Sequence, residues 1–264
     1  MILTVLISCL VLGSVVGFLA GLLGIGGGLI IVPALVYLLP TVGVSSDVVM
    51  PMALGTSLGA IVITSTSAAY AHHRKNNIPW PLARQLMILV AVGALIGAFI
   101  ADSLSSEVLT GFFSFVVILL AAYMLLSINA SKERSLPATY VLQLLSFITG
   151  GISSLMGIAG GAILVPSLSF FGVQVRHAIG IATACGVMVA LFGSLGYIIT
   201  GFNLPNLPDL SLGYLYLPAL LGIVVSSSIF APLGVKYAGN LPVKTLKKFF
   251  AVFLIFVAIK MMMA

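Results

Sequence analysis

The residues of this chain that could do chemistry are glycines and hydroxyls rather than charges. Two glycine-rich tracts, Gly24-Ile25-Gly26-Gly27-Gly28 and Gly157-Ile158-Ala159-Gly160-Gly161, are each followed by a short apolar stretch with a proline at the same place, Pro33 and Pro166. Consecutive glycines break a helix, because glycine accepts backbone conformations closed to other residues and lets a ligand or a second backbone come close. A helix restarting after such a break begins with N–H groups that have no partner in their own helix and with the positive end of its dipole. Gly26, Gly27 and Gly28 in the first tract, and Gly160 and Gly161 in the second, would present those groups, and such an end attracts anions. Gly24 and Gly157 open the two turns. Thr56, Ser57 and Thr183 fall in the apolar segments that follow, about two turns or fewer from their starts, and would add hydroxyl donors.

What is missing narrows the ligand. No Asp, Glu, Lys or Arg falls in the middle of an apolar segment, so a divalent cation, which wants carboxylates or clustered histidines, has no ligands. No metal and no cofactor is expected. A modestly charged, weakly hydrated anion held by neutral donors fits better. Each residue also has a plainer reading. The glycines could serve only close helix packing, the role assigned to Gly93 and Gly97, and the hydroxyls could bond back to their own helix carbonyls. Pro33, Pro51 and Pro166 shape helix starts or kinks, which neighbouring helices tolerate in a bundle. His72 and His73, beside Arg74 and Lys75, and His177, beside Arg176, read as a charged cap rather than a metal site. Cys185, one turn from Thr183, reads as a packing cysteine, the alternative being a reversible contact with a sulfur substrate.

These residues must be positioned by membrane helices. With 61% hydrophobic and 6% charged residues and a mean hydropathy of +1.29, the chain lacks the polar surface to cover a soluble globule. A net charge of +6 would suggest nucleic acid in a soluble protein. Here the basic residues sit in short loops and set topology instead, so no nucleic-acid partner is expected. Cys9 and Cys185 both lie in apolar stretches, which argues against a disulfide. No Lys or Arg precedes residue 74, so residues 1–22 lack a signal peptide's basic start and read as retained. At ~20 residues per crossing, the apolar segments fall near 3–23, 28–39, 48–70, 80–100 and 105–127, then near 138–156, 161–171, 178–200, 213–232 and 244–263.

The second set repeats the first. Gly17 to Leu35 recurs 133 positions later as Gly150 to Leu168, with ten of nineteen residues identical. Gly55-Thr56-Ser57 then matches Ala182-Thr183-Ala184, and Leu104, Leu109, Phe112, Phe113, Ile118, Ala121 and Met124 meet identical residues 137 positions on. The expected organisation is a first repeat at 1–128, a polar cytoplasmic linker at 129–137 and a second repeat at 138–264. Basic residues follow the third and fifth segments in the first half, but the short segment and the ninth in the second. Placing basic loops in the cytoplasm accommodates ten of the eleven Lys and Arg residues, all but Lys260, only if the halves are inverted. The predicted fold class is therefore an all-α polytopic membrane protein of two inverted repeats, each a glycine-rich broken-helix hairpin plus three spanning helices. Short segments of eleven or twelve residues rise about 16–18 Å, roughly half of a ~30 Å hydrocarbon core. Both glycine turns would thus meet near the midplane.

Three functional classes follow. A secondary permease for a small anion, driven by a coupling proton or ion, leads; an anion channel or other conducting pore could share the same dipole site. An intramembrane enzyme lacks any nucleophile and base pair. The run Gly21-Leu22-Leu23-Gly24-Ile25-Gly26-Gly27-Gly28-Leu29-Ile30-Ile31-Val32-Pro33, its partner at 157–166, Ala53-Leu54-Gly55-Thr56-Ser57, Ala182-Thr183 and His72-His73-Arg74 together resemble the sulfite exporter TauE/SafE family, also called the toluene sulfonate uptake permease family. That resemblance implies a multi-pass permease of a bacterial or archaeal inner membrane, moving sulfite, sulfonates or other organic anions by alternating access. Ala159 in place of Gly26 departs from the first motif and bears on whether both turns bind substrate equally.

Overall fold

Ten α-helices are described, and their order follows the apolar segments of the chain. They are α1 (Ile2–Leu23), α2 (Gly28–Leu38), α3 (Ser46–Arg74), α4 (Trp80–Asp102), α5 (Ser106–Leu126), α6 (Thr139–Leu155), α7 (Gly161–Phe170), α8 (Val175–Gly201), α9 (Leu217–Ala238) and α10 (Val243–Met262). The computed structural model describes residues 2–23, 27–126, 136–205, 207–238 and 243–262. Gly24, Ile25 and Gly26 lie outside the described residues, as does most of the linker expected at 129–137.

Four of the described helices, α3, α4, α8 and most of α5, are long and apolar enough to cross a membrane. Asp47 and Glu107 sit in the first turns of α3 and α5 and complement the positive ends of their helices, while Arg74 complements the end of α3. α2 and α7, with 11 and 10 residues, reach about 15–17 Å, half the depth of a bilayer core. Each carries its proline inside the helix, Pro33 and Pro166. A short 3-10 turn at Leu39–Val42 ends on Gly43 at φ 87°, and Gly172 at φ 80° ends the chain path after α7.

Packing exchanges cleanly between the halves. α1 lies along α9 as α6 lies along α4, and the counterparts α3 and α8, and α5 and α10, pack on each other. α3 and α8 run antiparallel: Gly55 faces Tyr197, Leu58 faces Gly193, and Ser65 faces Gly186. Small residues let these backbones approach, as they do throughout membrane bundles. A Cβ on Gly97 of α4 would lie 2.6 Å from the Gly151 carbonyl of α6, and one on Gly17 of α1 would lie 2.5 Å from Cα of Ser227 in α9. Large apolar side chains such as Ile88, Phe115, Leu144 and Ile229 are left exposed on the outer faces, a surface that suits lipid and not water.

One element differs from the sequence expectation. The ninth segment, expected to begin near 213, opens instead with a β-hairpin, β1 (Ser211–Leu212) and β2 (Leu215–Tyr216), antiparallel with Ser211 opposite Tyr216. Leu210 at φ 65° and Gly213 at φ 55° hold left-handed backbone that a helix cannot contain. The buried tip, Tyr214 to Tyr216, is apolar enough to pass for the start of a span. The helix α9 itself begins at Leu217.

Candidate functional site

The described end of the first glycine tract meets the second turn. At the first, the Ile30 and Ile31 N–H groups donate to the Gly27 carbonyl at 3.0 and 2.9 Å, which starts α2. Gly28 is buried, and a Cβ there would lie 2.5 Å from the Gly157 carbonyl oxygen and 2.9 Å from Ile158 Cα. The turn of the second half therefore sits on the first residue of α2. Gly157 itself has φ +62°, a conformation that favours glycine, and its Cβ position is 2.8 Å from Val32 of α2 and 3.0 Å from Leu54 Cα of α3. Ser57 completes the junction, its fully buried Oγ donating to the Gly157 carbonyl at 2.7 Å.

The second turn has more room and more polarity. The Gly157 and Ile158 N–H groups donate to the Ser154 and Ser153 carbonyls, closing α6, and the Ile163 and Leu164 N–H groups donate to the Gly160 carbonyl, opening α7. The Gly161 N–H is taken by the Ala159 carbonyl. A Cβ on Gly160 would stand 3.4 Å from Thr149 Cγ2, 3.5 Å from Ser153 Oγ and 3.6 Å from Val189 Cγ2, ordinary contact distances. A Cβ on Gly161 would meet nothing within 4 Å. Thr149 and Ser153 are 0% exposed, yet their hydroxyls have no hydrogen-bond partner among the described residues. On the far side of the turn, Ala159 Cβ and Ser65 Oγ lie 3.3 and 3.6 Å from the Cβ position of Gly186.

The remaining residues singled out from sequence are placed as follows. Gly24 and Gly26 lie outside the described residues. A Cβ on Gly27 would be only 2.6 Å from Val16 Cγ1, so that side of the first turn is filled by an apolar side chain. Thr56 is fully buried, and its Oγ1 accepts the Tyr216 N–H at 3.0 Å, tying α3 to the hairpin. Thr183 is half-buried and donates to its own helix at Ile179 O, 2.6 Å away. Pro33 lines an apolar cleft of about 390 Å³ with Ile30, Phe253 and Lys260, between α2 and α10. Pro166 is half-buried within α7. His73 accepts the Trp80 indole N–H at 3.1 Å, with Arg84 over the indole ring, so this histidine ties α3 to α4.

Sequence reasoning missed two groups. One is the hydroxyl pair Thr149 and Ser153. The other is a latch at the end of α4, where the Tyr214 hydroxyl donates to Asp102 Oδ1 at 2.9 Å, the Tyr214 N–H donates to the Tyr197 carbonyl at 3.2 Å, and the Tyr197 hydroxyl donates to the Ser154 carbonyl at 3.2 Å. Burial and the Asp102 carboxylate raise the Tyr214 phenol above its ordinary range, so it remains a donor at neutral pH.

Known proteins are similar to this chain over nearly its whole length. The family model of the sulfite exporter TauE/SafE matches residues 9–261. A probable membrane transporter protein of Haemophilus influenzae is 43% identical over 263 residues, covering 98% of both chains. Probable membrane transporter proteins of Methanocaldococcus jannaschii and Bacillus subtilis (YunE) are each 26% identical, covering 90% and 72% of this chain and 88% and 77% of their own. No solved structure matches the chain at a significant level. With nearly its whole length matched by one family model and by a close relative, the chain belongs to the sulfite exporter TauE/SafE family.

Proposed function

We propose that the protein is a secondary permease for small sulfur-containing or organic anions such as sulfite or sulfonates, which bind between the two glycine turns and cross by alternating access. Family membership and kinship with proteins named as probable membrane transporters make it a membrane transporter, in the multi-pass setting its apolar helices require. The observation that carries the finer reading is the junction of Gly28 with Gly157 and Ile158. It brings the start of one half-length helix, α2 of the first repeat, against the turn of the second repeat that leads into the other, α7, a juxtaposition expected where broken helices form a substrate site. The positive ends of α2 and α7 favour an anion there. Backbone N–H groups and hydroxyls can release a weakly hydrated ion, as a carrier must.

The antiparallel run of α3 against α8, equivalent helices of the two repeats, supports the inverted topology expected from the basic loops. Tags at residues 43 and 206 are then reachable from outside and tags at 76, 132 and 239 only from the cytoplasm. Cytoplasmic access to residue 206 would overturn the inversion. The function is tested by uptake and efflux of labelled sulfite, sulfonates and size-matched neutral and cationic compounds in proteoliposomes, with and without a pH gradient. Saturable, gradient-responsive anion flux is expected. Non-saturating flux would make the protein a conducting pore, and flux of the cation alone would overturn the anion assignment.

A further inference from the structure

We infer that the anion is held at the second turn alone, by the hydroxyls of Thr149 and Ser153 on α6, over the open start of α7 at Gly160 and Gly161. The inference rests on the permease reading and sharpens it to a one-sided site for a small oxyanion headgroup, sulfite or sulfonate.

Three observations converge. Serines and threonines in these helices ordinarily satisfy themselves: Ser146 donates to Leu142 O at 2.8 Å, Thr183 to Ile179 O and Ser226 to Gly222 O, as membrane hydroxyls commonly do. Thr149, Ser153 and Ser154, on the same helix as Ser146, do not, although all three are wholly buried; Ser154 Oγ faces Gly193 of α8, 3.0 Å from its Cβ position, which leaves Thr149 and Ser153 for the second turn. A buried polar group without a partner is costly and uncommon; Ser153 lies against the Gly160 turn through its Oγ and Thr149 through its Cγ2 methyl, with its unpaired hydroxyl on the adjoining bond. Second, the space above Gly161 is open to 4 Å at the start of a ten-residue helix, where a positive dipole end favours negative charge. Third, the described part of the first turn, Gly27 and Gly28, lacks these features. By the offset that aligns the glycine tracts, Val16 and Ala20 stand where Thr149 and Ser153 stand. Val16 fills the space over Gly27, and Gly28 is closed by the Gly157 carbonyl. One turn is thus apolar and packed, the other hydroxyl-lined and open. With no carboxylate among the residues that line it, the polar turn lacks the ligands that a divalent cation wants, and the start of α7 favours negative charge.

Binding of sulfite and of ethanesulfonate to the purified full chain, measured calorimetrically alongside flux in proteoliposomes, tests this. Thr149→Val and Ser153→Ala should each weaken binding about ten- to a hundred-fold, the worth of one hydrogen bond to a charged partner. Thr149→Ser, which keeps the hydroxyl, should retain binding, and Ser146→Ala should match the wild type. Should Thr149→Val fail to fold, Ser153→Ala and Thr149→Ser decide by the same comparison. Folded Ser153→Ala and Thr149→Val proteins that bind like the wild type would overturn the one-sided site while leaving the permease reading standing. A wild type that neither binds nor moves any anion would instead remove the permease reading itself.

Discussion

Exchanging a single hydrogen for a methyl group at two equivalent glycines should give opposite results. At Gly28 the added Cβ falls 2.5 Å from the Gly157 carbonyl oxygen and 2.9 Å from Ile158 Cα, both backbone atoms that cannot swing aside. Relieving that overlap means shifting α2 from the second turn, and overpacking of this kind costs about 1–3 kcal/mol. Alanine's better helix propensity returns about 0.5–1 kcal/mol. The net expected for Gly28→Ala is a loss of up to about 2.5 kcal/mol, read as a fall of up to several degrees in the thermal midpoint. At Gly161 the same methyl meets nothing within 4 Å, so only the propensity gain of up to about 1 kcal/mol remains. The assay is thermal unfolding of the detergent-purified variants, followed by size-exclusion of the surviving fraction. Gly28→Ala more stable than the wild type, as expected for Gly161→Ala, would refute the close approach of Gly28 to the second turn.

Other perturbations follow from named bonds. Ser57→Ala removes the 2.7 Å bond to the Gly157 carbonyl and should cost about 1–3 kcal/mol by the same unfolding assay, because a buried carbonyl is left unpaired. Tyr214→Phe frees the hairpin from Asp102 and should lower the midpoint at neutral pH. Since the Tyr214 phenol is held above its ordinary range, the bond it makes is fully present below a free tyrosine's pKa of about 10 and is lost only as pH climbs beyond it. The gap between wild type and Tyr214→Phe should therefore be flat through neutral pH and close in strong alkali. Thr183→Val removes a hydroxyl that bonds only to Ile179 O among the described residues, and should shift the unfolding midpoint little, because that bond lies within one helix turn.

Much of this arrangement was legible in the chain. The ten apolar segments fall within a few residues of the ten helices, because lipid imposes a length and a composition that hydropathy reads directly. The half-length arms were legible from the glycine tracts, which interrupt a helix wherever they stand. The hairpin at 211–216 was not, because Tyr214, Leu215 and Tyr216 are as apolar as a helix start, and only Gly213 hints at the left-handed backbone. Thr149 and Ser153 were passed over because a hydroxyl in a membrane segment ordinarily bonds back to its own helix. A signal was available in the repeat: the apolar Val16 and Ala20 stand at the aligned positions of the first half. Repeats that agree in their glycines and differ in their hydroxyls mark where the fold is shared and where the chemistry is not.

Gly160→Leu tests the central claim most directly. The Cβ position of Gly160 is in ordinary contact with Thr149, Ser153 and Val189, so the rest of a leucine side chain must fill the space over the second turn. Saturable flux of a labelled sulfonate in proteoliposomes should be abolished in this variant, while the amount of folded, membrane-inserted protein stays near that of the wild type. Wild-type flux through folded Gly160→Leu protein would contradict a substrate path over the glycine turns.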